Sequence, residues 1–214
     1  MPIFGNQDVH KKEVIARGPE PAAAGKAIIL LHGRGASARD ILTLGNYLDV
    51  EGYTLWAPEA TNHTWYPYSF LALPEQNEPW LTSALDLIAE LVGDLNAAGL
   101  ESNQIYFAGF SQGACLTLEF VARNARHWGG IAAFTGGLIG DRIYQERYKG
   151  HFASTPIYIG TSDPDPHVPV SRVYETAHLL RKMGADVTQE IFPGLGHTIS
   201  DKEIERANTL IFRT

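Results

Sequence analysis

The segment Gly109-Phe110-Ser111-Gln112-Gly113 constrains this chain more tightly than any other stretch. Residues 104–108 before it read as a buried strand, and residues 114–121 after it read as a helix. A chain that passes from strand to helix in so few residues must turn sharply. In such a turn a side chain on either flank collides with neighbouring backbone, which accounts for Gly109 and Gly113. Ser111 is then forced into a strained conformation at the head of a helix, where free N–H groups and the helix dipole favour a developing negative charge. A serine presented this way is a candidate nucleophile.

The remainder of the chain alternates between strand-length apolar runs and helical patterns. Residues 26–32 read as a fully buried central strand, 38–48 as a helix and 53–57 as the next strand. Leu81, Leu85, Ile88, Leu91, Val92 and Leu95 share one face of a long amphipathic helix that Gly99 ends. Further strands are predicted at 130–135, 156–160 and 186–192, with helices at 170–180, stopping by Gly184, and at 201–212. Residues 9–15 read as an edge strand guarded by its lysines. This order predicts an α/β fold: a mostly parallel central sheet of about seven strands with helices on both faces. With 214 residues and 44% hydrophobic content, residues 1–214 are expected to form one domain.

Charge and cysteine usage narrow the function classes. Net charge is −7 and no Lys/Arg cluster is present, so neither nucleic acid nor an anionic membrane surface is an expected partner. Cys115 is the single cysteine, which leaves no intrachain disulfide. No apolar run approaches membrane-spanning length, and the first residues lack the basic-then-apolar pattern of a secretory signal. A cytoplasmic protein without a membrane span is expected.

Residues 58–79 lack sustained periodicity yet hold Trp65, Tyr66, Tyr68 and Phe70. A loop of that length in a compact fold is usually functional, and it leaves the carboxyl end of a strand, where ligands sit in doubly wound sheets. It is expected to form the wall or lid of a substrate pocket, with Trp65, Tyr66 and Tyr68 against an acyl or aryl group; the alternative for each aromatic is that it plugs the edge of the core.

A serine hydroxyl becomes a good nucleophile when a base takes its proton, and that base needs a carboxylate to orient it. His197, between Gly196 and Thr198 after the last strand, is the candidate base. The loop after the preceding strand offers Asp163 and Asp165, of which only one can meet the imidazole, and His167, a candidate substrate contact. The same Asp163, Asp165 and His167 could form a metal cluster, but they lack the paired-histidine helix spacing of zinc hydrolases, so no metal is expected. An oxyanion needs donors placed in advance. The Gln112 N–H is one candidate and the Arg34 N–H, in the turn His32-Gly33-Arg34-Gly35, is the other. The Arg34 side chain could line the pocket and favour anionic or polar substrates, or point to solvent. His32 is expected to support its own turn, and His10, His127, His151 and His178 to lie on the surface or on helices.

With His32-Gly33-Arg34-Gly35, Gly109-Phe110-Ser111-Gln112-Gly113, Asp165-Pro166-His167-Val168-Pro169 and Gly196-His197 in order, the chain resembles the phospholipase/carboxylesterase group of α/β-hydrolases, relatives of the acyl-protein thioesterases. The resemblance runs from about residue 25 to the end. It implies Ser111, Asp165 and His197 as triad, favours Asp165 over Asp163, and implies Arg34 and Gln112 as oxyanion donors. It also implies a cofactor-free enzyme acting on a small-molecule ester, with a homodimer as a family-level expectation. Two positions depart from the thioesterase pattern: Arg34 stands where leucine is usual, and Ala36 where an aspartate follows. The expected activity is hydrolysis of small to medium acyl esters, extending to thioesters or lysophospholipids. The alternatives are a catalytically silent binding module on the same fold, and a cofactor-free haloperoxidase or lyase using the same triad.

Overall fold

Alternation of side chains along the strands splits the interior into two layers. On β2 (Ala27–Leu31), Ala27, Ile29 and Leu31 face one core while Ile28 and Leu30 face the other, and all five are buried. The computed structural model describes residues 9–212. Its sheet has seven strands in the order β1-β3-β2-β4-β5-β6-β7. The flanking members are β1 (Val14–Arg17), β3 (Thr54–Pro58), β4 (Ile105–Phe110), β5 (Gly130–Phe134), β6 (Pro156–Asp163) and β7 (Asp186–Pro193). All neighbours run parallel except β1, which pairs antiparallel with β3.

One face is covered by α3 (Trp80–Ala97), α4 (Gln112–Arg123) and α5 (Val170–Lys182), the other by α2 (Ala38–Leu42) and α6 (Asp201–Leu210). A single turn, α1 (Pro21–Ala24), joins β1 to β2. Leu81, Ile88, Leu91 and Leu95 of α3 are buried, each contributing about 1.5–3 kcal/mol through apolar area removed from water. That stripe, more than intrinsic propensity, holds α3 on the sheet. No helix among the described residues is long and apolar enough to cross a membrane.

Three elements differ from the sequence reading, each for a tertiary reason. The edge strand starts at Val14 because residues before it serve other contacts: Val9 O accepts from Thr61 Oγ1, and Lys12 pairs with Glu90 and Asp94 on α3. The predicted helix at 38–48 ends as α2 at Leu42 and tightens into a 3₁₀ turn over Thr43–Asn46, where a Cβ on Gly45 would meet Arg17 and Leu55. β6 runs on to Asp163 because β7 matches it residue for residue, from Pro156 opposite Asp186 to Asp163 opposite Pro193. The carboxyl ends of β2, β4, β6 and β7 therefore deliver four loops to one end of the sheet.

Candidate active site

Ser111 stands between β4 and α4 with φ +54° and ψ −118°. Its N–H donates to Phe134 O at 3.0 Å and its carbonyl accepts from Cys115 N at 3.0 Å, so both sides of the strained residue are tied down. The flanking glycines have a steric cause. A Cβ on Gly109 would lie 2.5 Å from Gly113 O, and one on Gly113 would lie 2.1 Å from Leu31 O.

The loops after β6 and β7 bring two side chains to the serine. His197 Nε2 lies 2.8 Å from Ser111 Oγ, and His197 Nδ1 lies 2.8 Å from Asp165 Oδ2. An ionised carboxylate only accepts, so Nδ1 carries the proton and Nε2 is left to accept from the serine hydroxyl. Asp165 Oδ1 accepts from the His167 and Val168 N–H groups, each at 2.8 Å. Burial pushes the Asp165 carboxyl up, but the bonds from His197 and those two N–H groups outweigh it and leave it below its ordinary value. Asp163 is exposed at the end of β6, where its carbonyl accepts from Gly194 N. The His197 ring packs between Phe110, at 5.1 Å, and His167, at 4.8 Å edge-on. Among the described residues no group of three or more His, Cys, Asp or Glu side chains gathers to hold a metal ion.

The turn after β2 touches the elbow: a Cβ on Gly33 would stand 3.5 Å from Ser111 Cβ. Among the described residues, the backbone N–H groups of Arg34 and Gln112 donate to no protein acceptor. Their side chains reach across to the loop over residues 64–68. The Arg34 guanidinium donates to Thr64 Oγ1 at 3.0 Å and to the carbonyls of Tyr66, Pro67 and Tyr68 at 2.9, 2.9 and 2.7 Å. The Gln112 amide accepts from Trp65 N at 2.9 Å and donates to Tyr66 O at 2.8 Å. Arg34 is thus an exposed residue in the cleft lining whose guanidinium is held against the loop carbonyls.

The aromatic loop divides its residues between core and cleft. Trp65 does not reach the cleft. It is wholly buried, donates from Nε1 to His32 O at 2.9 Å, and packs against the rings of His32 at 4.9 Å and His10 at 5.5 Å. Tyr66 lines the cleft, with its hydroxyl buried beside the Cys115 thiol. Tyr68, exposed, forms the rim, and His167 lines the wall opposite the loop residues. The cleft holds about 870 Å³. Burial pushes the Cys115 thiol up to about 12, consistent with packing rather than with a reactive thiolate.

His10 and Ser162 carried no readable signal, whereas His32 supports its own turn as expected. His10, expected at the surface, is buried: Nε2 donates to Trp65 O at 3.0 Å and Nδ1 accepts from Thr61 N at 3.2 Å. His32 is held likewise, with Nδ1 donating to Gly33 O at 2.8 Å and Nε2 accepting from Ala60 N at 3.1 Å. Ser162, buried, accepts from Gly196 N at 2.9 Å and donates to Pro164 O at 3.3 Å, linking the loops that carry His197 and Asp165.

The chain matches the family described as Phospholipase/Carboxylesterase over residues 10–213. A solved phospholipase/carboxylesterase from Dyadobacter fermentans DSM 18053 superposes with a TM-score of 0.95 at 51% identity, covering 98% of this chain and 100% of that one. A protein named probable carboxylesterase from Oryza sativa subsp. japonica is 27% identical over 208 residues, 87% of this chain and 78% of its own length. An acyl-protein thioesterase 1 of Gibberella zeae is 28% identical over 116 residues, 53% of this chain and 49% of that protein. The match to this thioesterase thus spans about half of its length. The seven-stranded sheet, the hydrolase relatives and the nearly full-length family match lead to one assignment: the chain belongs to the phospholipase/carboxylesterase family of α/β-hydrolases.

Proposed function

We propose that the protein is a serine carboxylesterase that hydrolyses small to medium acyl esters through an acyl-enzyme intermediate. The observation that carries this reading is the unbroken relay Asp165–His197–Ser111, with both links at 2.8 Å, ending on a serine at positive φ. Ser111 Oγ bonds to the ester carbonyl carbon as its proton passes to His197 Nε2, and the carbonyl π pair moves onto oxygen. The Arg34 and Gln112 N–H groups donate to that oxyanion, a contribution of about 2.7–4 kcal/mol for a donor of this kind. Collapse breaks the bond to the alcohol oxygen, which leaves with the proton from His197. Water then attacks the acyl-enzyme and yields its proton to His197. The second collapse returns a proton to Ser111 and releases the carboxylic acid. Asp165 stays ionised throughout, holding the imidazole and stabilising its cation.

The cleft of about 870 Å³ leaves room for more than an acetyl group. Thioesters and lysophospholipids present the same acyl carbonyl and fall within the proposed range. The test is p-nitrophenyl butyrate turnover and fluorophosphonate labelling, read by intact mass, in the parent and in Ser111→Ala. Labelling and turnover in the parent alone are expected. A parent that neither reacts nor turns over is a silent binding module, and turnover that survives in Ser111→Ala overturns the mechanism.

A further inference from the structure

Arg34 is a permanent cation in the wall of the cleft that holds Ser111 and His197, and it is exposed there. Both Nη atoms donate to neutral oxygens, the hydroxyl of Thr64 and the carbonyls of Tyr66, Pro67 and Tyr68. Such dipoles fix the guanidinium but leave its charge uncancelled. Among the described residues no carboxylate pairs with it, and its Nε–H has no acceptor. A long side chain held in place beforehand also spares the cost of ordering it when a ligand arrives.

The cleft lining holds a single carboxylate, Asp165, and that group is engaged by the His197 ring and by the His167 and Val168 N–H groups. Arg34 follows β2 and Asp165 follows β6, and in the sheet these strands lie on opposite sides of β4, which carries Ser111. The two charges therefore flank the nucleophile from opposite sides and do not meet. Phe70, Leu71 and Val168 give the same cleft apolar wall for methylenes. A negative group on the acyl chain would repel the developing oxyanion unless a fixed cation stood close by, and Arg34 is that cation. We propose that the cleft selects esters whose acyl chain ends in a carboxylate, the monoesters of dicarboxylic acids, with the Arg34 guanidinium as the specificity-determining group. The assignment rests on the serine esterase reading above and adds the charge of the acyl group to it.

Matched pairs of substrates isolate the charge. Ethanol release would give kcat/KM for monoethyl succinate, glutarate and adipate, each beside the ethyl ester in which the free carboxylate is replaced by a neutral primary amide. In the parent the ratio of acid to amide is expected to reach at least about tenfold at one chain length, as for a charge-assisted contact. Arg34→Gln should bring that ratio below one, because the carboxylate then only repels the oxyanion. Arg34→Lys should keep it above one, because the charge survives. A looser loop slows both members of a pair alike, so a bracing role by itself lowers kcat/KM without moving the ratio. A parent ratio near or below one at every length, or a high ratio that persists in Arg34→Gln, would overturn the assignment. Failure of the esterase reading looks different: neither member of any pair would be turned over, or both would survive Ser111→Ala.

Discussion

Arg34 and Gln112 meet on one atom, the carbonyl oxygen of Tyr66, which receives Arg34 Nη2 at 2.9 Å and Gln112 Nε2 at 2.8 Å. The two residues proposed to supply oxyanion N–H groups thus brace each other through the loop that walls the cleft. Removing the Arg34 side chain leaves its backbone donor in place but frees that loop. Arg34→Leu is expected to lower kcat about tenfold with a smaller change in KM, because misplaced donors weaken transition-state binding most. Arg34→Lys should recover part of the loss, since an ammonium cannot span three carbonyls as the guanidinium does. Steady-state kinetics on all three proteins checks this, and an unchanged kcat in Arg34→Leu would remove the loop from catalysis.

Asp165 and Asp163 separate cleanly by amide substitution. Asp165→Asn turns a pure acceptor into a group that can present a donor to Nδ1, favouring the wrong tautomer; a loss in kcat of about 10³–10⁴-fold is expected. Asp163→Asn, on an exposed side chain, should stay within about twofold. Comparable losses in both would move the acid to Asp163.

Ser162 connects the acid and base loops through Gly196 N and Pro164 O. Ser162→Ala leaves the part-buried Gly196 N–H without its acceptor, at a cost of about 1 kcal/mol. Denaturant unfolding should report that loss, and kcat should fall more than KM rises because His197 is no longer held in register. Parent-like kinetics with reduced stability would make Ser162 a purely structural residue.

The two buried imidazoles make stability fall with acid. Burial lowers the pKa of both His10 and His32 from 6.5, against the raising effect of their backbone bonds and, for His32, of Glu59 and Asp40; His32 adds to the lowering at His10, and His63 to the lowering at His32. Each ring accepts an N–H, from Thr61 or Ala60, and a proton there would set donor against donor. Because the folded-state value lies below the unfolded one, the unfolded chain binds more protons just below pH 6.5. Their stabilisation is therefore complete above that pH and lost as pH falls from 6.5 toward the lowered values. Unfolding free energies between pH 8 and pH 5, in the parent and in His10→Gln, would show it; the variant should have the shallower slope. Equal slopes would exclude His10 from the titration.

The sequence exposed some of this arrangement and hid the rest for definable reasons. Ser111, His197 and the Asp163/Asp165 loop could be placed together because each follows a strand, and strand ends in a parallel sheet converge on one edge, whereas the preference for Asp165 over Asp163 came from the family resemblance. Trp65 was not, because aromatic character says that a side chain will find apolar company and not which way a loop will turn it. The Arg34 side chain was equally opaque: its acceptors lie 30 to 34 residues further along the chain, in a loop without periodicity. The strand from Pro156 reads as ending at Gly160, yet β7 supplies partners that carry β6 on to Asp163.

The placement of β7 at the rim of the sheet has a consequence for how the protein fails. Ser111 is anchored by β4, which has a paired strand on both sides, whereas His197 hangs from the outermost strand, most of whose residues are only half-buried. Fraying of that border costs less than opening the centre. On warming, the base should swing away from an elbow that is still intact. Loss of turnover should then precede global melting and reverse on cooling, with amide hydrogens of β7 exchanging while those of β4 remain protected.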